Sequence, residues 1–310
     1  MEFNHKSVLF DEAISALELN DRKIIVDGTA GGGGHSRAIA SVAKQLVAID
    51  RDPDAIDVLN SRLKDFKNVT VVHDTYSNLA GILQSLNIDG IDGFLLDLGV
   101  SSYQLDSAER GFSYHNNAPL DMRMSKTGTS AYDVVNTYDE VALANVIWQY
   151  GEERYSRSIA RNIVKARAEK PIETTFELVD IIKASMPQKE LKKGHPARKT
   201  FQAIRIEVNG ELDELKSALD SAFNVLNSGG IIAVITFHSL EDRIVKEKFA
   251  DWTRGCTCPK EFPVCVCGNV PKGELPFKSK TPKQEEIDTN NRARSARLRA
   301  FKKFQKLHFK

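Results

Sequence analysis

The chain has 310 residues, of which 41% are hydrophobic and 27% charged, and its net charge is +1. That composition is typical of a soluble globular protein, and no apolar run approaches the roughly 20 residues that span a bilayer. The polar opening Met1-Glu2-Phe3-Asn4-His5-Lys6 lacks the apolar core of a signal peptide, so the expected location is the cytoplasm, with no membrane contact.

From residue 24 to residue 100, strand and helix signals alternate. Ile24-Ile25-Val26 is a short buried-strand run that stops at Asp27. The run Gly31 to Gly34 follows, and a helix continues over 35–42. Glycines between a strand and a helix let a ligand approach the backbone near free helix N–H groups. A phosphate-binding loop would need Gly-Lys-Ser/Thr, but Gly34 is followed by His35. A dinucleotide fingerprint would need a third glycine where Ser36 or Arg37 stands. S-adenosylmethionine, whose methionyl end and ribose lie across a similar loop, is the third option; a glycine-rich turn with no ligand is the fourth.

Residues 46–49 form the second strand, ending in Asp50. Asp50 lies about 20 positions after the glycine loop, the spacing expected for ribose recognition; capping the next helix is the alternative. Pro53 suits the first turn of a helix in which Ala55, Ile56, Leu59 and Leu63 recur at helical spacing. The third strand, 69–72, leads to His73-Asp74-Thr75-Tyr76, where Tyr76 either flanks an adenine or packs in the core. A helix over 79–86 precedes the fourth strand, 94–96. That strand ends in Asp97-Leu98-Gly99-Val100-Ser101-Ser102, with Gln104 just beyond, and its polar end faces the reacting centre. This alternation predicts an α/β fold with a mostly parallel, doubly wound sheet.

The pattern then breaks. Residues 105–205 carry helical periodicity and polar loops without a convincing strand, which predicts an inserted helical domain between 1–104 and 206–310. A helix over 203–227 leads back to a fifth strand at 231–235, after the Gly229-Gly230 turn. That strand ends in Thr236-Phe237-His238-Ser239-Leu240-Glu241-Asp242-Arg243. Ser239 is the expected cap of the helix over 240–252, with Asp242 reaching back to it, which leaves His238 free for chemistry. Residues 255–285 read as a long loop, and Ala296, Leu298, Ala300 and Phe301 as a last edge strand. All four cysteines, Cys256, Cys258, Cys265 and Cys267, lie in that loop. Their C-x-C pairs are tighter than the C-x₂₋₄-C of zinc knuckles, so no metal ligand is assigned and free surface thiols are the competing reading.

The segments Gly33-Gly34-His35-Ser36, Ile49-Asp50-Arg51-Asp52, Leu96-Asp97-Leu98-Gly99-Val100-Ser101-Ser102, Glu109-Arg110-Gly111-Phe112-Ser113, Leu120-Asp121-Met122-Arg123-Met124, Tyr150-Gly151-Glu152-Glu153-Arg154, Phe201-Gln202-Ala203-Ile204-Arg205 and Phe237-His238-Ser239-Leu240-Glu241-Asp242-Arg243 occur in this order. Together they resemble the bacterial 16S ribosomal RNA cytosine-N4 methyltransferases, the MraW family, from His5 to about Arg299. The resemblance implies a class I, Rossmann-like S-adenosylmethionine-dependent methyltransferase. It implies methylation of the exocyclic N4 of a cytidine in the P-site decoding region of 16S rRNA, with the small ribosomal subunit as partner. It implies cofactor contacts at Gly33, Gly34, His35, Asp50, Tyr76, Asp97 and Gln104. Many members carry Phe where Tyr76 stands, and the cysteine loop is not general to the family.

The residues agree with an amine target. Carbon methylation of a pyrimidine usually uses a cysteine nucleophile, and no cysteine lies near Asp97. Ribose methylation commonly resembles a Lys-Asp-Lys-Glu arrangement, and Phe237-His238-Ser239 offers no lysine. Direct transfer to an exocyclic amine, with no covalent enzyme intermediate, needs chiefly positioning, worth roughly 7–11 kcal/mol in favourable cases. Asp97 is the expected hydrogen-bond acceptor that orients N4, and water or His238 the proton acceptor. Two basic-rich stretches, 154–205 and 292–310, are candidate RNA platforms or else solvated faces.

Overall fold

A computed structural model describes residues 7–305. The opening segment 1–6, read above for a signal peptide, and the end of the basic tail, 306–310, lie outside them. The chain divides into two compact units, Met1–Gly99 with Leu212–Lys310, and Val100–Glu211.

The first unit is a seven-stranded sheet: β1 (Ile24–Asp27), β2 (Gln45–Asp50), β3 (Val69–His73), β4 (Ile91–Asp97), β5 (Leu226–Thr236), β6 (Gly273–Glu274) and β7 (Arg297–Lys303). The order is β3-β2-β1-β4-β5-β7-β6. The first five strands are parallel; β7 runs antiparallel to both β5 and β6. Successive side chains on a strand face opposite ways, and here each face is buried. Val26, Val47, Phe94, Leu96, Ile232 and Val234 pack in one core, with the helices Leu79–Ser85, Glu211–Val225 and Ser239–Thr253. Their neighbours Ile25, Leu46, Ala48, Leu95, Ala233 and Ile235 pack in a second, with the helices Phe10–Ala16, Gly34–Ala40 and Pro53–Arg62. Burying each large apolar side chain contributes roughly 1.5–3 kcal/mol, so these near-continuous apolar runs fix the sheet.

Three expectations need correction. The helix expected over 203–227 is two helices, because Gly210 takes a left-handed conformation (φ 61°) between Arg198–Asn209 and Glu211–Val225. Strand β5 starts at Leu226, before the glycine pair, with a register shift against β4. Strand β7 is not the edge, since β6 pairs along its outer side. The helices Phe10–Ala16 and Gln284–Thr289 were not legible in the sequence.

The second unit is helical. Its core joins Leu120, Met122 and Met124 to Val134, Leu143, Ile147, Ile159, Ile163, Leu178, Phe201 and Ile204. Capping boxes at Ser130/Asp133 and Thr174/Glu177 start two of its helices. Among the described residues its β-type pairing is a single bridge, Pro119 to Thr174. The turn at 120–124 is clamped by Asn209, whose amide accepts from Met124 N (2.9 Å) and donates to Met122 O (2.8 Å). No helix among the described residues is long and apolar enough to cross a membrane.

Candidate active site

Strand order reverses between β1 and β4: from β1 the chain proceeds outward through β2 and β3, and from β4 to the other side. Ligands of open α/β sheets bind at the carboxyl ends of the strands at such a switch point. Here the neighbouring strands β2, β1 and β4 end in Asp50, Asp27 and Asp97. The loop after β1 is pinned from both sides, by Gly28 N to Leu95 O (2.9 Å) and Ala30 N to Ile49 O (3.0 Å). A Cβ at Gly28 would stand 2.7 Å from Leu96 Cδ2, so only glycine allows this closeness. Thr29 Oγ1 accepts the Asp97 N–H (2.6 Å), joining the loop to the end of β4.

Asp50 holds the glycine run in place. Its Oδ2 accepts from Gly31 N (2.7 Å) and its Oδ1 from Asp52 N (2.8 Å). Gly33 has φ 79° and stands at the cap of the following helix, and a Cβ on Gly34 would collide with the Ser7 hydroxyl. His35 is buried and stacks on Phe10, with ring centroids 5.5 Å apart at 16°. Its Nδ1 lies 3.7 Å from Asp97 Oδ2.

The charge balance is one-sided. Asp97 is 22% exposed at its side chain, and burial, with Asp27 and Glu241 nearby, pushes its carboxyl up to about 8. Burial likewise raises Asp27 to about 6, against the Ser36 hydroxyl that donates to it at 2.6 Å, and raises Asp50. Burial lowers His35 to about 4, so the imidazole is neutral at physiological pH. Asp97 Oδ1 and His35 Nε2 are buried without a hydrogen-bond partner in the protein. A buried polar atom left open in this way needs a partner from elsewhere. Carboxyls crowded at one crevice favour a cationic ligand and oppose a phosphate.

Among the residues expected from sequence, Gly33, Gly34, His35, Asp50 and Asp97 therefore gather at adjacent strand ends. Tyr76 follows β3 in a short 3₁₀ turn and is 9% exposed, packed in the core with Val47, Phe94 and Leu96. Gln104 belongs to the helical unit, where its side-chain oxygen accepts from Ser101 N (3.0 Å) and completes a capping box. His238 departs from expectation. It, not Ser239, caps the helix Ser239–Thr253, with Nδ1 accepting from Glu241 N (3.4 Å). Its Nε2 is 3.1 Å from Glu241 Oε1 but off the line of a hydrogen bond. Glu241 in turn accepts from Phe237 N (2.8 Å). Asp242, expected to reach back to the cap, instead forms a two-pronged ion pair with Arg299 (2.7 and 3.0 Å).

Asp27, Thr29, Glu241 and Phe10 escaped the sequence reading as site residues. Asp27 had a usable signal, since it ends its strand as Asp50 and Asp97 end theirs. The basic stretches also divide. Arg299 is buried in its ion pair, Arg205 is held by Glu211 (2.8 Å, twice), and Arg167 donates to the Val135 and Tyr138 carbonyls. Arg154, Arg157, Lys189, Lys192, Lys193 and Arg198 remain exposed. In the helical unit a cavity of about 240 Å³ is lined by Tyr114, His115, Phe176, Lys183 and His195 among others. Tyr114 stacks on His195 at 4.2 Å, and Phe176 is 42% exposed.

A family model described as the MraW methylase family matches residues 2–304. Ribosomal RNA small subunit methyltransferase H of Clostridium botulinum (strain Kyoto / Type A2) is 52% identical over 308 residues, covering 98% of this chain and 100% of that protein. The protein of the same description from Lachnospira eligens is 51% identical over 310 residues, covering 98% of each. Among solved structures, an rRNA methylase from Streptococcus thermophilus aligns over 96% of this chain and 94% of its own, at 13% identity and a TM-score of 0.43.

Proposed function

The chain belongs to the MraW methylase family, and from that premise we propose that it methylates the exocyclic N4 of a cytidine in the P-site decoding region of 16S rRNA. It is an S-adenosylmethionine-dependent methyltransferase acting on small-subunit rRNA. The observation that carries the finer reading is the crowding of Asp27, Asp97 and Glu241 at the switch point, with Asp97 Oδ1 unpartnered.

S-adenosylmethionine, when bound, supplies a methyl group made electrophilic by a positively charged sulfur. The residues present fit such a cation: the crevice is acidic, and the His35 imidazole in it is neutral. Asp50 is the candidate partner of the ribose hydroxyls, since its carboxylate ends β2 beside the glycine loop that it holds in place. The glycines let the methionyl end lie against the backbone, and Tyr76 bounds the adenine side.

Asp97 Oδ1 accepts a hydrogen bond from N4–H and holds the amine lone pair in line with the methyl carbon. As N4 takes the methyl it becomes positively charged, and the carboxylate stabilises that charge before the proton leaves. With its pKa raised to about 8, Asp97 is mostly protonated at neutral pH, and its ionised fraction, a stronger base than an ordinary carboxylate, is the acceptor. His238 Nδ1 is engaged by the Glu241 N–H, so the imidazole positions the end of β5 and the proton goes to Asp97 or water.

The helical unit serves as the RNA platform. Its stacked, half-exposed rings beside lysines suit an unpaired base and its phosphates. The test is transfer of tritiated methyl from S-adenosylmethionine to small subunits that lack the modification. Label in 16S rRNA supports the proposal. Cofactor binding with no label in any RNA would overturn it in favour of a non-catalytic assembly role.

A further inference from the structure

The four cysteines lie in the loop between the helix Ser239–Thr253 and β6, which has no regular structure and no core of its own. Phe262, Val264 and Val266 are 51–73% exposed, so burial does not hold its shape. The neck is closed by Lys272 N to Trp252 O (2.8 Å) and by the Asn269 amide on the Arg254 and Gly255 carbonyls (3.1 and 2.8 Å). Within it, all four sulfurs converge to within 4.8 Å of one another. Cys265 and Cys267 are 3.6 Å apart, and Cys267 and Cys256 3.7 Å.

Those separations match one ion. A tetrahedron of sulfurs about 2.3 Å from zinc has edges about 1.6 times longer, about 3.8 Å. An iron–sulfur cluster places several atoms between its cysteines and needs a wider cage. We propose that Cys256, Cys258, Cys265 and Cys267 bind a single structural zinc ion. Four protein thiolates close the coordination sphere, as in structural rather than catalytic zinc sites.

The backbone around the sulfurs is arranged for thiolates. Thr257 N and Asn269 N both donate to Cys267 Sγ (3.3 and 3.4 Å), Cys258 N to Cys256 Sγ (3.4 Å), and Val266 N to Cys258 Sγ (3.3 Å). Such outer-shell donors offset the negative charge of metal-bound sulfur. Gly268 has φ 62°, the left-handed turn that brings Asn269 N back to Cys267, and a Cβ there would meet nothing within 4 Å, so conformation rather than space calls for glycine. The C-x-C spacing that weighs against zinc in sequence is overcome because the pairs come from opposite sides of a closed loop.

The test uses the whole chain, purified with reductant and without chelator, then analysed by mass spectrometry for metals. About one zinc per chain is expected. The variant Cys265→Ser with Cys267→Ser should lose at least tenfold of that content while keeping S-adenosylmethionine affinity, which shows that the sheet unit is folded. Replacing zinc by cobalt should give the intense visible bands of tetrahedral thiolate coordination, and a strong chelator should open residues 255–271 to protease. Less than 0.1 zinc per chain after incubation of the reduced protein with equimolar zinc would overturn the proposal. So would zinc content unchanged in the double variant, disulfides in the freshly reduced chain, or stoichiometric iron in place of zinc.

Discussion

The ends of β1, β2 and β4 are carboxyl-rich and largely buried, with Asp27 and Asp50 held by backbone amides and Asp97 Oδ1 left open. Around Tyr114 and His195 the rings are stacked, half exposed and flanked by lysine. Neither arrangement is the cheapest packing for its place. Burial raises Asp97, Asp27 and Asp50 together, a strain that a carboxamide or a leucine at these positions would relieve. The rings of the helical unit leave apolar surface in water that a tighter core would cover. Each region departs from the stability optimum in the direction its proposed ligand requires: negative charge for a cationic methyl donor, and open π-faces with lysine for a nucleobase and its phosphates.

The sharpest way to break that contrast is Asp97→Asn. It should lower kcat on the order of 10²-fold or more, with RNA affinity unchanged, as read in single-turnover methyl transfer. The same variant should be more stable at high pH. An unfolded aspartate ionises near 4, whereas folded Asp97 ionises near 8, so the folded chain holds a proton that the unfolded chain has lost. That contribution is complete below pH 4 and is lost as pH rises through 8. Thermal unfolding above pH 8 should therefore show Asp97→Asn higher by about 2–5 °C. A variant both inactive and less stable would point to a structural role instead.

Asp50→Ala should weaken S-adenosylmethionine binding about 10–100-fold by calorimetry, the worth of a charged hydrogen bond, and leave the KM for RNA alone. In the wild-type chain, activity limited by ionised Asp97 should climb about tenfold per pH unit up to about 8 and level off above it; a flat profile would remove Asp97 as the acceptor. On the other side of the comparison, Phe176→Ala should raise the KM for RNA about tenfold through lost stacking, with cofactor affinity untouched. The smallest effect separates two arginines of the basic tail. Exposed Arg292, once neutralised to Gln, should reduce the salt slope of RNA binding by about 0.7, whereas Arg299→Gln should cost stability and leave the slope unchanged.

The same two regions explain what was readable in the sequence. Strands β1, β2 and β4 are buried on both faces, so their apolar runs stand out and their terminal aspartates fall into line. The inserted helices show their period because each buries one face and exposes the other. The helix Phe10–Ala16 is too short for a clear stripe, and the break at Gly210 is one residue inside a long apolar period. The cap at His238 is hidden because Ser239 is the better hydroxyl cap by residue type; Glu241, three places after His238, is the signal that decides it. Arg299 reads as part of a basic tail, and only the fold brings Asp242 to it. Convergence of the four cysteines is likewise a property of the closed loop, which spacing along the chain does not encode.

The atom that receives the methyl group separates amine, carbon and ribose chemistry, and nucleoside mass analysis of 16S rRNA labelled by the purified chain identifies it directly. The predicted product is N4-methylcytidine at a single position, absent when Asp97→Asn replaces the wild-type protein. Label recovered as 5-methylcytidine, or on a ribose 2′-oxygen, would contradict the role given to Asp97 and the amine chemistry built on it.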